Sequence, residues 1–145
     1  MNAANSHGIM GGGVAGVIRR AAGPEVEQEA MQQAPIPVGK AILTSGGRTR
    51  FQGIIHAPTM TEPAMRIAAI NVGLATRAAL SLADERGLTF IAIPGMGTGV
   101  GGVAPADAAA KMFDELRSFS PHSLTSVMLV DIDPVMVQAW RNQWV

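Results

Sequence analysis

Apolar positions along the chain change their spacing several times, and each change marks an element. From residue 40 onward four short β-rich runs, Ala41–Thr44, Gly53–His56, Thr89–Ile93 and Ser126–Val130, alternate with stretches of helical spacing. The runs are nearly continuous in apolar residues, with Phe90, Ile91, Val127 and Leu129 among the expected core, as suits strands buried within a sheet. Met65, Ile70, Leu74 and Leu82 recur near helical spacing up to Gly87, a glycine able to take the left-handed conformation that closes a helix. A second helix is signalled by Pro105 in a first turn, by Asp107 near the positive end of the helix dipole, and by the stripe Ala109, Met112, Phe113 and Leu116. Asp133 then Pro134 reads as the N-cap and first residue of a closing helix that carries Val137 and Trp140. Nearer the start, Val14–Ala22 reads as a helix ended by Gly23, and Pro24–Met31 as another opened by proline. This alternation predicts α/β layering around a central sheet. No internal repeat, low-complexity tract or linker divides the chain.

Composition narrows the class. A length of 145 residues suits one domain, 1–145. Apolar residues make up 48% and charged residues 15%, against about a quarter charged in ordinary soluble domains, so a packed core is expected. Eleven basic and eleven acidic side chains cancel, without the dense Lys/Arg cluster of a duplex nucleic-acid binder. The absence of cysteine excludes a disulfide scaffold, thiol catalysis and thiolate metal sites. His7, His56 and His122 lack ligand spacing, so no metal is expected. The opening MNAANSHGIMGGG lacks the charged start and apolar run of a signal peptide, and Asn71 and Arg77 interrupt the longest apolar candidate. A cytoplasmic protein without a membrane span is expected.

Glycine is concentrated in two places: Gly11-Gly12-Gly13 ahead of the first helix, and the stretch from Gly95 to Gly102, GMGTGVGG, between a strand and a helix. Backbone without Cβ atoms lets N–H groups approach an anion, and the following helix adds partial positive charge. A pyrophosphate can be held this way without lysine. The competing reading is that the glycines only make tight turns. A Walker-type loop fails because Gly101-Gly102-Val103 has no lysine. A Rossmann fingerprint has the right flanks, but its acidic residue belongs roughly twenty positions on, and Asp131 lies well beyond that.

Four motifs then occur in order: Asn2-Ala3-Ala4-Asn5-Ser6, Gly11-Gly12-Gly13-Val14-Ala15-Gly16-Val17-Ile18, Ile54-Ile55-His56-Ala57, and Ile93-Pro94 running through Gly102. In that order and spacing they resemble the macro-domain family, from residue 2 to at least Ala110. The resemblance implies a three-layer α/β/α sandwich around a central mixed sheet, with ADP-ribose bound in a crevice at the strand ends. It implies that Asn5 hydrogen-bonds and orients the distal ribose. Gly12, Gly13 and Val14 would form one phosphate wall, and Gly97, Thr98, Gly99, Val100 and Gly101 would wrap the diphosphate and distal ribose from the other side. No cofactor is implied. Asn2 is expected to satisfy loop backbone groups, and His56 to be a structural histidine. His7 stands near the pocket mouth without an assigned role.

Three departures from the family pattern stand out. The upstream segment whose aspartate recognises adenine has no counterpart, so the domain is expected to be truncated at its N-terminus and to lack one or more N-terminal strands. A GUG valine codon can also serve as a bacterial start, so Met1 is expected to stand at an internal valine of a longer protein. Ile132 and Gly101 occupy positions where many members carry aromatic rings, and Ala15 stands where one hydrolase branch has an aspartate. The expected function is binding of ADP-ribose and its derivatives, free or on a modified protein, with slow hydrolysis at the distal ribose by deacetylation, dephosphorylation or de-ADP-ribosylation. The alternatives are a non-catalytic ADP-ribose reader and, more remotely, a Rossmann-like NAD-binding oxidoreductase.

Overall fold

The computed structural model of the protein describes residues 1–144. Its elements follow in the order β1 (Asn2–Asn5), α1 (Gly13–Ala22), α2 (Pro24–Gln32), β2 (Ile42–Ser45), β3 (Gly53–Met60), α3 (Ala69–Glu85), β4 (Phe90–Pro94), α4 (Pro105–Ser118), β5 (Ser126–Val130) and α5 (Pro134–Gln143). β3 lies between β1, its parallel partner with Asn2 opposite His56, and β2, its antiparallel partner with Ile42 opposite His56. β4 and β5 pair in parallel, Ile91 opposite Val127. The main-chain nitrogen of Met1 donates to Ala92 O at 2.8 Å, which brings the two ladders edge to edge with β1 beside β4. Because β2 runs against its neighbour, the strands are mixed in direction, unlike the parallel sheet a Rossmann reading needs.

Helices cover both faces of this sheet. Ile55 and Ala57 point to the same side as Ile91 and Ile93, and pack against Val72, Ala75 and Leu80 of α3, Met112 of α4 and Trp140 of α5. Ile54 points the opposite way, as alternate residues of a strand must, into a smaller cluster with Met10, Ala15, Ala22 and Val26 from the α1–α2 side. The result is an α/β/α sandwich.

Several sequence expectations shift. Residues 2–5, to which hydrophobic periodicity assigned no element, form β1. β3 continues four residues past His56 to Met60, because β1 supplies a partner along that extension. Pro58 is tolerated there because β2 has already ended opposite His56. Met65 lies outside α3, and Ile70 and Leu74 are exposed rather than core residues. The buried stripe is instead Val72, Ala75, Thr76, Ala79, Leu80 and Ala83, whose small side chains let the helix sit close to the sheet. Phe90 is also exposed, and β5 is covered on one face only, leaving Met128 and Val130 in solvent.

The local stop and start signals read correctly. Gly23 caps α1 with φ +99°, Gly87 follows α3 with φ +71°, and Asp133 Oδ1 accepts the Val135 N–H at 2.9 Å to cap α5.

Candidate functional site

The chain leaves β1 through a turn that Asn5 builds with its own side chain. Asn5 Oδ1 accepts the backbone N–H groups of His7 at 3.0 Å and Ile9 at 3.3 Å, while Nδ2 donates to Ile9 O at 2.8 Å. An asparagine bonding to nearby backbone in this way fixes a turn that competes with regular structure. The turn delivers Met10 into the core, and Met10 N donates to Glu27 Oε2 at 2.6 Å. Gly11, Gly12 and Gly13 then stand exposed at the head of α1. No side chain caps that helix, and its first turn carries no acidic residue. Among the described residues, no protein acceptor takes the N–H groups of Gly12, Gly13 or Val14.

The second loop is closed on itself. Val103 N donates to Gly97 O at 2.8 Å and Gly102 N to Gly99 O at 3.1 Å. Gly97 has φ +78°, and a Cβ there would meet Val72 Cγ2 at 2.8 Å, so this position is glycine because the fold requires it. Gly99 differs: a Cβ at Gly99, like one at Gly12, would meet nothing within 4 Å. At these two positions packing does not demand a glycine, and the missing side chain leaves the backbone open. The N–H groups of Thr98, Gly99 and Val100 likewise take no protein acceptor among the described residues. Backbone N–H groups left unpaired near a helix N-terminus or in a glycine-rich loop can receive an anion.

A strap that sequence reading passed over links the two loops. Ser6 N donates to Met60 O at 3.0 Å, so β3 ends beside the Asn5 turn. From there residues 61–67 run to the second glycine loop, where Ile67 N donates to Gly101 O at 2.9 Å. The same strap is tied to the first loop by His7 Nε2 and Glu62 Oε2, 2.9 Å apart and both exposed. The Asn5 turn and the two glycine loops therefore share one edge of the sheet.

Other expected site residues fall as follows. Ala15 is buried and presents only a methyl group, and Ile132 is fully exposed. Asn2 does not serve loop backbone groups as expected. Its Nδ2 donates to His56 Nδ1 at 3.1 Å, and its Oδ1 is buried without a partner. His56 is wholly buried, with Nε2 2.9 Å from Thr44 Oγ1. Burial pushes its pKa down to about 4, with the Met1 ammonium as a second cause, so the ring is neutral near neutral pH. The chain Asn2 to His56 to Thr44 crosses all three strands of the β1–β3–β2 ladder.

A hollow of about 320 Å³ also opens between α4, β5 and the end of α5, lined by Phe113, Leu116, Val127, Leu129 and Trp144. It lies away from the glycine loops, and Arg117 and Gln143 add polar groups to its mainly apolar walls. The described residues contain no cluster of His, Asp or Glu able to hold a metal, and no helix long and apolar enough to cross a membrane.

Comparison with known proteins gives this geometry a family. The sequence model of the Macro domain matches residues 1–112. An uncharacterized protein of Aquifex aeolicus is 58% identical over 142 residues, covering 98% of this chain and 86% of its own length. An uncharacterized protein of Aeropyrum pernix is 53% identical over 109 residues, and the match spans 75% of this chain and 58% of that protein. Among solved structures, the Trypanosoma brucei macrodomain in complex with ADP-ribose superposes with a TM-score of 0.87 at 26% identity, over 99% of this chain and 62% of that one. The Oceanobacillus iheyensis macrodomain with ADP gives 0.82 at 27% identity, over 99% and 80%.

Proposed function

The chain belongs to the Macro domain family, and on that premise we propose that the crevice between its two glycine loops binds ADP-ribose and its derivatives, free or attached to a modified protein. The observation that carries this reading is the set of unpaired N–H groups on Gly12, Gly13, Val14, Thr98, Gly99 and Val100, offered from two loops at one edge of the sheet. A diphosphate is the ligand group that such a set suits, because it presents acceptors on both sides and needs no lysine. A solved structural neighbour is a complex with ADP-ribose. In this reading Gly101 closes the second loop by accepting the Ile67 N–H, and Asn5 positions the first loop through its turn. The remaining Nδ2 hydrogen of Asn5 is available to the distal ribose.

Gly99→Glu tests the site. A Cβ at position 99 meets no neighbour, so the variant folds, while its carboxylate enters the anion site and repels the diphosphate. The expected result is an unchanged circular dichroism spectrum with ADP-ribose binding lost. Retained affinity would remove the second loop from the site.

Hydrolysis at the distal ribose is the slow companion activity of this reading. Oriented backbone dipoles can lower a barrier by positioning water, yet Ala15 supplies no general base. With O-acetyl-ADP-ribose or mono-ADP-ribosylated protein, turnover well below about 1 per second is expected. Rapid turnover would show that another group acts as the base, and complete absence of product would leave a reader module.

A further inference from the structure

We infer that Glu27, on α2, is a positioning residue for the first glycine loop: its carboxylate fixes the chain on both sides of Gly11-Gly12-Gly13 and so sets the N–H groups of Gly12, Gly13 and Val14 in place for an anion. The inference rests on the ADP-ribose reading above and concerns how that site is made ready. Glycine has more backbone freedom than any other residue, and this loop strings three together. None of them gains a contact that offsets the freedom: all are exposed, and a Cβ at any of them would meet nothing within 4 Å. A loop left loose would be ordered only when a ligand arrives, at a cost in affinity.

The chain ahead of the loop rests on α2. A Cβ at Gly8 would fall 2.8 Å from Ala30 C and 2.9 Å from Met31 N, so the turn lies directly against the helix backbone. Ile36 N donates to Ser6 O at 2.8 Å, and Met10 is 2% exposed. Glu27, in the first turn of α2, completes this support with both of its oxygens. Oε2 accepts the Met10 N–H at 2.6 Å, on the last residue before the glycines, and Oε1 accepts the Arg19 Nε–H at 2.9 Å. Arg19 belongs to the last turn of α1, the helix that opens at Gly13. One carboxylate therefore holds the residue that enters the loop and the helix that leaves it. The Glu27 side chain is only 17% exposed, and a charge-assisted bond to backbone is roughly twice as strong as a neutral one. Arg19 offsets the carboxylate's charge, which unopposed would repel an anion at the neighbouring loop.

The test pairs titration calorimetry of ADP-ribose with amide relaxation measured by NMR on the free full chain, for the natural protein, Glu27→Ala and Glu27→Gln. Glu27→Ala should raise the fast motion of the Gly11, Gly12 and Gly13 amides, leave that of Gly99 in the other loop unchanged, and weaken ADP-ribose by about ten-fold. Glu27→Gln keeps an acceptor for Met10 N, so it should restore the order of the loop and lose no more than about three-fold in affinity. Should Glu27→Ala fail to fold, Arg19→Gln carries the test, because its exposed side chain does not touch Met10; it should loosen the same three glycines and weaken binding by about three-fold. Unchanged order at the glycines, an affinity that survives Glu27→Ala, or a Glu27→Gln loss as large as that of Glu27→Ala would overturn the role of Glu27. The relaxation measurement needs no ligand. A natural protein that fails to bind ADP-ribose would therefore sink the ADP-ribose reading, while the order of its loop would still show whether Glu27 holds it.

Discussion

His56 shows how a single residue couples sequence to pH behaviour. Its ring accepts from Asn2 Nδ2 at Nδ1, which leaves Nε2 to donate to Thr44 Oγ1, and that hydroxyl in turn donates to Ser45 O at 3.1 Å. The arrangement works only with a neutral ring, because a proton on Nδ1 would face the Asn2 amide donor. The folded protein takes up that proton only near pH 4, whereas an unfolded chain takes it up near 6.5. Between those values the unfolded state holds more protons, so stability falls as pH is lowered from about 6.5 and the loss is complete near 4, amounting to about 3 kcal/mol. Urea unfolding at a series of pH values should show that slope in the natural protein and a flatter one in His56→Gln, which cannot be protonated. An identical slope in both would place the acid sensitivity elsewhere. In the sequence His56 was readable as structural from its place at the end of an apolar run. Its partners were not, because Asn2 and Thr44 lie on other strands.

At the scale of elements, the two glycine loops separate glycines that the fold needs from glycines that leave space. A Cβ at Gly101 would sit 2.7 Å from Gly97 O and 3.1 Å from Gly97 Cα, backbone that cannot swing aside. Gly101→Ala should cost about 1–3 kcal/mol, while Gly99→Ala, in open space, should stay within about 0.5 kcal/mol. Thermal melting of the two variants checks the contrast, and equal melting temperatures would contradict it. Local chemistry made much of this level legible in advance. Pro105, Pro134, Asp133 and Gly23 mark helix ends through their own backbone and side-chain properties, and the structure uses them so. The α3 face was misread because the largest side chains, Ile70 and Leu74, point to solvent, while alanines carry the close contact with the sheet. β1 gave no hydrophobic signal because its buried end residues are Asn2 and Asn5, satisfied by partners distant in sequence or by a turn. The strap was invisible for a related reason: it meets the glycine loop through a contact between positions 67 and 101.

For the whole molecule, the sheet edge gathers the Asn5 turn, both glycine loops and the strap without a metal cluster or a buried catalytic carboxylate among the described residues. In the proposed function this edge holds its ligand in backbone dipoles, and a ligand bound only by the folded state raises its stability by mass action. Saturating ADP-ribose should therefore raise the melting temperature. The most direct measurement is isothermal titration of the natural protein with ADP-ribose, with AMP and NAD titrated in parallel. The predicted result is one saturable site for ADP-ribose, with AMP weaker because it lacks the second phosphate and the distal ribose, and NAD weaker because its nicotinamide extends the distal end. No heat with ADP-ribose, or AMP or NAD bound as tightly as ADP-ribose, would contradict an ADP-ribose crevice between the glycine loops.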